Sequence, residues 1–247
     1  KAVTVCGVWL LKVAFIPVLV VGLLSVGMVG CDRQDAAQTS AASANATPLT
    51  KLPPIAVQLK DVADITPAYN VAISYDAAVG QFEPLAKQVT AFADQQTAAF
   101  KSALGATPAP VGDAAQRPTL SLYMVSVANA PGLAAVAANG SAYTGKGAAT
   151  PIVQRWVYLP HTQQVLSQAQ LFPGTALTNA LKSKGAAGTA AGMEPTLDSQ
   201  GKITEIHFVY VLSAAENADD AVRKIAVPAA QLRGFIAPAY RGLLVSK

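Results

Sequence analysis

An uncharged apolar run of 18 residues, Val13 to Gly30, ends in small residues and stops at Cys31, directly before the polar Asp32-Arg33-Gln34-Asp35. Lys1 and Lys12 precede it, so the order is that of a secretory signal: basic, apolar, small. The run is also long enough for one uncleaved transmembrane helix, which takes about 20 residues, although Pro17, Gly22 and Gly27 would make it irregular. The only other cysteine is Cys6, inside the leader. Everything beyond Cys31 therefore has to fold without a disulfide, on a hydrophobic core alone.

The junction Met28-Val29-Gly30-Cys31 resembles a bacterial lipobox, with Met28 where Leu is commoner. That resemblance implies that the Cys31 thiol takes a diacylglycerol, that the chain is cut before it, and that the new amine is acylated. Two or three acyl chains anchor stably where one would be marginal. Asp32 after the cysteine implies retention at the inner membrane, by a rule that holds in enteric bacteria. Residues 1–30 are thus expected to be a lipoprotein signal peptide, and the rest to be exported and lipid-anchored in the cell envelope, facing the periplasm. From Ala36 to Pro54 the chain is Ala, Ser, Thr, Asn and Pro with one charge, Lys51, too little apolar surface to offset ordering. Residues 31–54 are therefore expected to be a flexible tether.

Charge excludes further classes. The net charge is +4, and Lys1 and Lys12 account for two of those charges. The remaining basic residues are scattered singly, whereas nucleic-acid binding needs them clustered, so no nucleic-acid partner is expected. The whole chain is 13% charged and 52% apolar, the composition of an Ala-rich globular protein behind a hydrophobic leader.

Hydrophobic spacing gives the elements. Tyr69 to Asp76 and Thr119 to Val127 alternate with period two, as half-buried strands do. From Pro84 to Leu104, residues Leu85, Val89, Phe92 and Phe100 share one helical face, with Pro84 in the first turn and Gly105 at the stop. Pro131 to Thr150 is Ala- and Gly-rich and ambiguous, Pro151 to Leu159 is a strand, and Pro160-His161-Thr162-Gln163 is a turn. Leu177 to Lys184 reads as a short helix ended by Gly185, followed by a mobile Gly-Ala loop to Gly192. Ile203 to Leu212 is the clearest strand, with Ile206, Phe208, Tyr210 and Leu212 on the core face and Glu205 and His207 on the other. After a loop at Ala214 to Asp220 come a strand, Arg223 to Val227, and a final helix from Pro228 with Leu232, Phe235 and Ile236 inward. Strand groups without regular helix alternation predict an α+β fold of antiparallel strands with an amphipathic helix in each half, forming one compact exported region. Its expected parts are subdomains at 55–130 and 131–247.

No motif announces chemistry. Gly140 to Gly147 fits the phosphate-loop spacing, but Gly147 stands where Ser or Thr must hold magnesium, and a strand follows instead of a helix. A Gly-rich hairpin is the plainer reading. His161 and His207 are the only histidines, and Glu205 beside His207 makes half a metal site, more often an ordinary surface pair. No G-x-S-x-G occurs, and Trp156 is more often core than sugar platform. Asn45-Ala-Thr47 and Asn139-Gly-Ser141 match a glycan-acceptor pattern that carries no weight behind a bacterial leader. No catalytic residue, metal or cofactor is expected.

The sequence Leu120-Ser-Leu-Tyr-Met-Val-Ser-Val127, the turn Tyr143-Thr-Gly145, Trp156-Val-Tyr-Leu159, Val165-Leu-Ser-Gln-Ala-Gln-Leu-Phe172 and Ile225-Ala-Val-Pro-Ala-Ala-Gln-Leu232 together resemble the RsiV-like family over roughly residues 55 to 240. That family is a paired domain of unknown function, 4163-like then 3298-like, found in the outer part of lysozyme-sensing anti-sigma factors and beside some peptidoglycan deacetylases. The family usually has a His after the Gly turn; Gly147-Ala148-Ala149-Thr150 has none. With no cytoplasmic segment ahead of the leader, signalling to a sigma factor is not expected to come with the fold. The resemblance implies a non-catalytic envelope lipoprotein that binds a lysozyme-like muramidase or a peptidoglycan fragment. Two alternatives stand beside it: a peptidoglycan-modifying hydrolase or deacetylase, or its accessory module, and a structural lipoprotein without a small ligand. Lysozymes are strongly basic, so Glu216, Asp219 and Asp220, with Glu205 and His207 on the adjoining strand, are the candidate partner-binding residues.

Overall fold

The computed structural model describes residues 50–105, 112–113, 116–212 and 221–246. The leader, Cys31 and the tether as far as residue 49 lie outside the described residues, as does the acidic loop bearing Glu216, Asp219 and Asp220. Among the described residues no helix is long and apolar enough to cross a membrane.

Among the described residues nine strands form two sheets, so the α+β class read from the sequence holds. The large sheet takes its strands in chain order: β1 (Val62–Ile65), β2 (Asn70–Tyr75), β3 (Thr119–Ala130), β4 (Leu133–Tyr143), β5 (Thr150–Leu159) and β6 (Gln164–Leu166). Only β2 and β3 pair in parallel, because helix α1 (Glu83–Leu104) carries the chain back between them. Pro84 sits in the first turn of α1, where its missing N–H costs nothing, and Gly105 ends it at φ 84°. The helix lays Leu85, Val89, Ala93 and Phe100 on one face of the sheet, against Val71, Ile73, Leu120, Leu122, Met124, Trp156 and Tyr158. Trp156 is core, edge-on to Phe92 at 5.3 Å.

The stretch left ambiguous by sequence is β4, a central strand. Ala134, Val136 and Ala138 join the α1 side while Leu133 and Ala135 join the other. A strand buried on both faces has no alternation to show, and alanine has little strand preference to compensate.

A second core lies on the opposite face of the large sheet. Ala128, Leu133, Ala135, Val157 and Leu159 pack there with the small sheet, β7 (Thr189–Leu197), β8 (Ile203–Val211) and β9 (Val222–Pro228), all antiparallel. Met193, Ile206, Phe208, Ile225 and Val227 come from that sheet, and Leu171, Leu177, Leu181 and Leu232 from α2 (Gln168–Leu171), α3 (Ala176–Ser183) and α4 (Ala229–Leu232). A reciprocal capping box, Ser167 with Gln170, starts α2.

Two expectations change. The Gly-Ala segment read as a mobile loop becomes strand β7 from Thr189, because Gly192 lets β7 pass directly over β5. An added Cβ at Gly192 would stand 2.8 Å from the Arg155 Cβ and 2.9 Å from its carbonyl oxygen. The final helix is a single turn, Ala229–Leu232, after which Leu232 and Ile236 are buried but Phe235 only partly. Residues 130 and 131 lie in the β3–β4 hairpin, and the large sheet takes strands from both sides of it.

Gly192→Ala should lower stability by about 1–3 kcal/mol, combining overpacking with a φ of 117° that side chains avoid. Gly234→Ala, where a Cβ meets open space, should change it by less than about 0.5 kcal/mol. Urea unfolding of the two variants compares them, and equal midpoints would contradict the close crossing.

Candidate functional site

The crossing of β7 over β5 brings together charges that are remote in sequence. Arg155, with only 5% of its surface exposed, is the one buried charged residue among those described. Its Nε donates to Glu194 Oε2 at 3.0 Å, one terminal nitrogen to the carbonyls of Ala138 (2.8 Å) and Gln154 (3.0 Å), and the other to Asn139 Oδ1 at 2.9 Å. Lys224 of β9 donates to both Glu194 oxygens, at 3.0 and 2.9 Å. Burial pulls the Arg155 pKa below its ordinary value and Glu194 opposes that, leaving the guanidinium charged. Burial also acts to raise the Glu194 pKa, but the hydrogen bonds from Lys224 and Arg155 overcome it and the carboxyl ends below its ordinary value.

This cluster marks a limit of the second core. Beyond it the large-sheet face away from α1 lies open, and strand register orders its side chains in rows. Ser74, Tyr123, Asn139 and Val153 form one row, Ala63, Ala72, Ser121, Ser141 and Pro151 the next, and Ile65, Asn70, Thr119 and Tyr143 a third. Tyr123 is 53% exposed. A cleft of about 540 Å³ continues the face toward the cluster, walled by Val125, Ala137 and Val153 on one side and Glu194, Val222 and Lys224 on the other. In the three rows no side chain is a carboxylate, an ammonium or a guanidinium.

Of the residues singled out in the sequence, Glu205 and His207 do meet, His207 Nε2 standing 2.6 Å from Glu205 Oε1. Both are about one-third exposed, and His207 stands opposite Glu194 across the β7–β8 ladder. Among the described residues no three His, Cys, Asp or Glu side chains gather as a metal site would. The phosphate-loop lookalike is the end of β4 and the turn into β5, with no helix after it. Glu216, Asp219, Asp220 and Cys31 lie outside the described residues.

Sequence reasoning missed Arg155, Glu194 and Lys224. A signal was present for Arg155, the single charge in the largely apolar strand Ile152 to Leu159. Its partner is 39 residues away, beyond the reach of any local pattern.

No family model matches the chain, and no curated protein does. Among solved structures the chain is similar to a DUF3298 family protein from Pseudomonas aeruginosa PAO1, at 14% identity and a TM-score of 0.47, over 76% of this chain and 96% of that one. It is also similar to a member of the DUF3298 family from Bacteroides fragilis NCTC 9343, at 13% identity and a TM-score of 0.49, over the same shares of 76% and 96%.

Glu194 ionises more readily in the folded chain than in the unfolded one. Its contribution to stability is therefore fully present above its ordinary value of 4.5 and is lost as pH falls through the lower folded value. Glu194→Gln should flatten that acid limb and cost about 1.5–3 kcal/mol at neutral pH, the range for hydrogen bonds to charged groups. Denaturant titrations between pH 7 and pH 3 measure both, and an acid limb unchanged by the substitution would rule out the pairing.

Proposed function

We propose that this chain is a non-catalytic lipoprotein of the bacterial cell envelope, whose domain beyond the tether binds a wall-associated partner, a lysozyme-like muramidase or a peptidoglycan fragment. The observation that supports binding is the open face of the large sheet. An antiparallel sheet can leave part of a face to solvent, and here that part carries Tyr, Ser, Thr and Asn together on rigid, paired strands.

The charged cluster at the border of that face supports binding over chemistry. A general acid needs a carboxyl whose pKa is raised toward the working pH. Glu194 is shifted the other way, and both its oxygens are occupied by Lys224 and Arg155. The Arg155 donors are spent on Glu194, Asn139 and two backbone carbonyls. These groups hold one another in place.

The anchoring half of the proposal rests on the sequence around Cys31: an apolar leader, small residues before the cysteine and a polar start after it. The tether would then hold the domain off the membrane, within reach of the wall.

Cys31→Ser should abolish incorporation of a labelled fatty acid and leave unprocessed precursor in the cell; labelling equal to the unsubstituted chain would refute the anchor. Co-sedimentation of the purified protein with peptidoglycan sacculi, and capture of a lysozyme by it, should give at least one saturable interaction. Binding to neither would end the proposal.

A further inference from the structure

The open face also has the composition of a particular ligand. Tyr123 and Tyr143 lie on the same side of the large sheet, on neighbouring strands and two cross-strand rows apart. With about 3.4 Å of rise per residue and about 4.8 Å between strands, their Cα atoms are about 14 Å apart, roughly the length of three linked pyranose rings. Between the two rings runs the row holding Ser121 and Ser141, with Thr119 beside Tyr143 and Asn139 beside Tyr123. The Ser121 and Ser141 hydroxyls can both donate and accept, the Thr119 hydroxyl, which donates to the Arg117 carbonyl, can still accept, and Asn139, whose Oδ1 accepts from Arg155, can still donate through its amide nitrogen. The Arg155 guanidinium bounds the face, but its hydrogen bonds to Glu194 and Asn139 tie it into the protein.

Each feature bears on the occupant. Steering of a strongly basic protein needs a negative surface, and these rows carry no carboxylate. A nucleic acid or other polyanion would need unpaired cations. An uncharged, polyhydroxylated chain needs what is present: aromatic rings with an exposed apolar face, and neutral groups between them that exchange hydrogen bonds with hydroxyl and acetamido substituents. The strands fix the array before anything binds, so little ordering cost remains for the protein.

We propose that this face, from Tyr143 across Ser121 and Ser141 to Tyr123 and Asn139, is a binding platform for the glycan strand of the wall, a neutral N-acetylated oligosaccharide of about three rings. The proposal rests on the binding role above and narrows its partner to the sugar. Bound this way, the glycan lies along the sheet with a ring over each tyrosine, and its far end points into the cleft beside Val153.

Titration of the full chain, in detergent micelles, with a β-linked N-acetylglucosamine hexamer should give saturable binding in calorimetry. Tyr123→Ala and Tyr143→Ala should each weaken it about fivefold to tenfold, while Tyr123→Phe, which keeps the ring, should stay within about threefold of the original. Melting temperatures of the variants identify any that fail to fold, and Tyr123→Phe carries the comparison in that case. Sugar binding that ignores both Ala substitutions would overturn the placement. Lysozyme capture with no binding of the hexamer or of sacculi would overturn the platform and leave the wider binding role standing, whereas the absence of every interaction would remove both.

Discussion

The fold turns on the place where β7 lies over β5, with Gly192 against Arg155. Two strands from different sheets come close enough there that a methyl group on one would collide with the backbone of the other. Such closeness buries the guanidinium, and a buried charge is tolerable only when it is paired and its hydrogen bonds are met. Glu194, two residues beyond Gly192 on the same strand, meets that demand. Lys224 then balances Glu194 from β9, two strands across the small sheet. The crossing fixes which carboxylate is within reach, and the charge cluster in turn restricts how far the sheets can slide past each other.

What the sequence disclosed followed the ordinary rules of burial. Strands with one covered face, such as Thr119 to Val127 and Ile203 to Leu212, alternate and were legible. The helix α1 was legible from its apolar spacing and its terminal Pro84 and Gly105. The strand β4 was hidden because both faces of its first half, Leu133 to Ala138, are covered, so alanines replaced the alternation there. The strand β7 was hidden for a related reason: its glycine and alanines exist to permit a close approach, and small residues in series read as a loop when the approaching partner is unknown.

The site divides along the same line. Glu205 and His207 could be paired from sequence because strand spacing alone puts residues i and i+2 on one face. Arg155 and Glu194 could not, since they meet through tertiary structure. Tyr123 lay within a strand already recognised, but its exposure depends on how far the second layer reaches, and nothing within residues 119–127 encodes that distance.

That distance explains where the open face begins. At about 3.4 Å per residue, the 12 residues of β3 run for about 40 Å, while the small sheet has strands of 9, 9 and 7 residues. The small sheet packs over the end of the large one that carries Ala128, Leu133, Val157 and Leu159. Helix α1 lies on the opposite face, its apolar side from Leu85 to Phe100 spanning about 22 Å at about 1.5 Å per residue. The second layer is therefore too short for the sheet it covers. At its edge a side chain is deep enough to lose water and shallow enough to reach polar partners, and Arg155 occupies that depth. Past it, β3 and β4 change their outward residues from the apolar side chains of the core to Tyr, Ser, Thr and Asn, while β5 presents Val153 and Pro151. A surface left bare by accident of length would be expected to carry the Lys and Glu of an ordinary solvated strand. The neutral polar and aromatic side chains found there instead are the observation on which the proposed binding role rests.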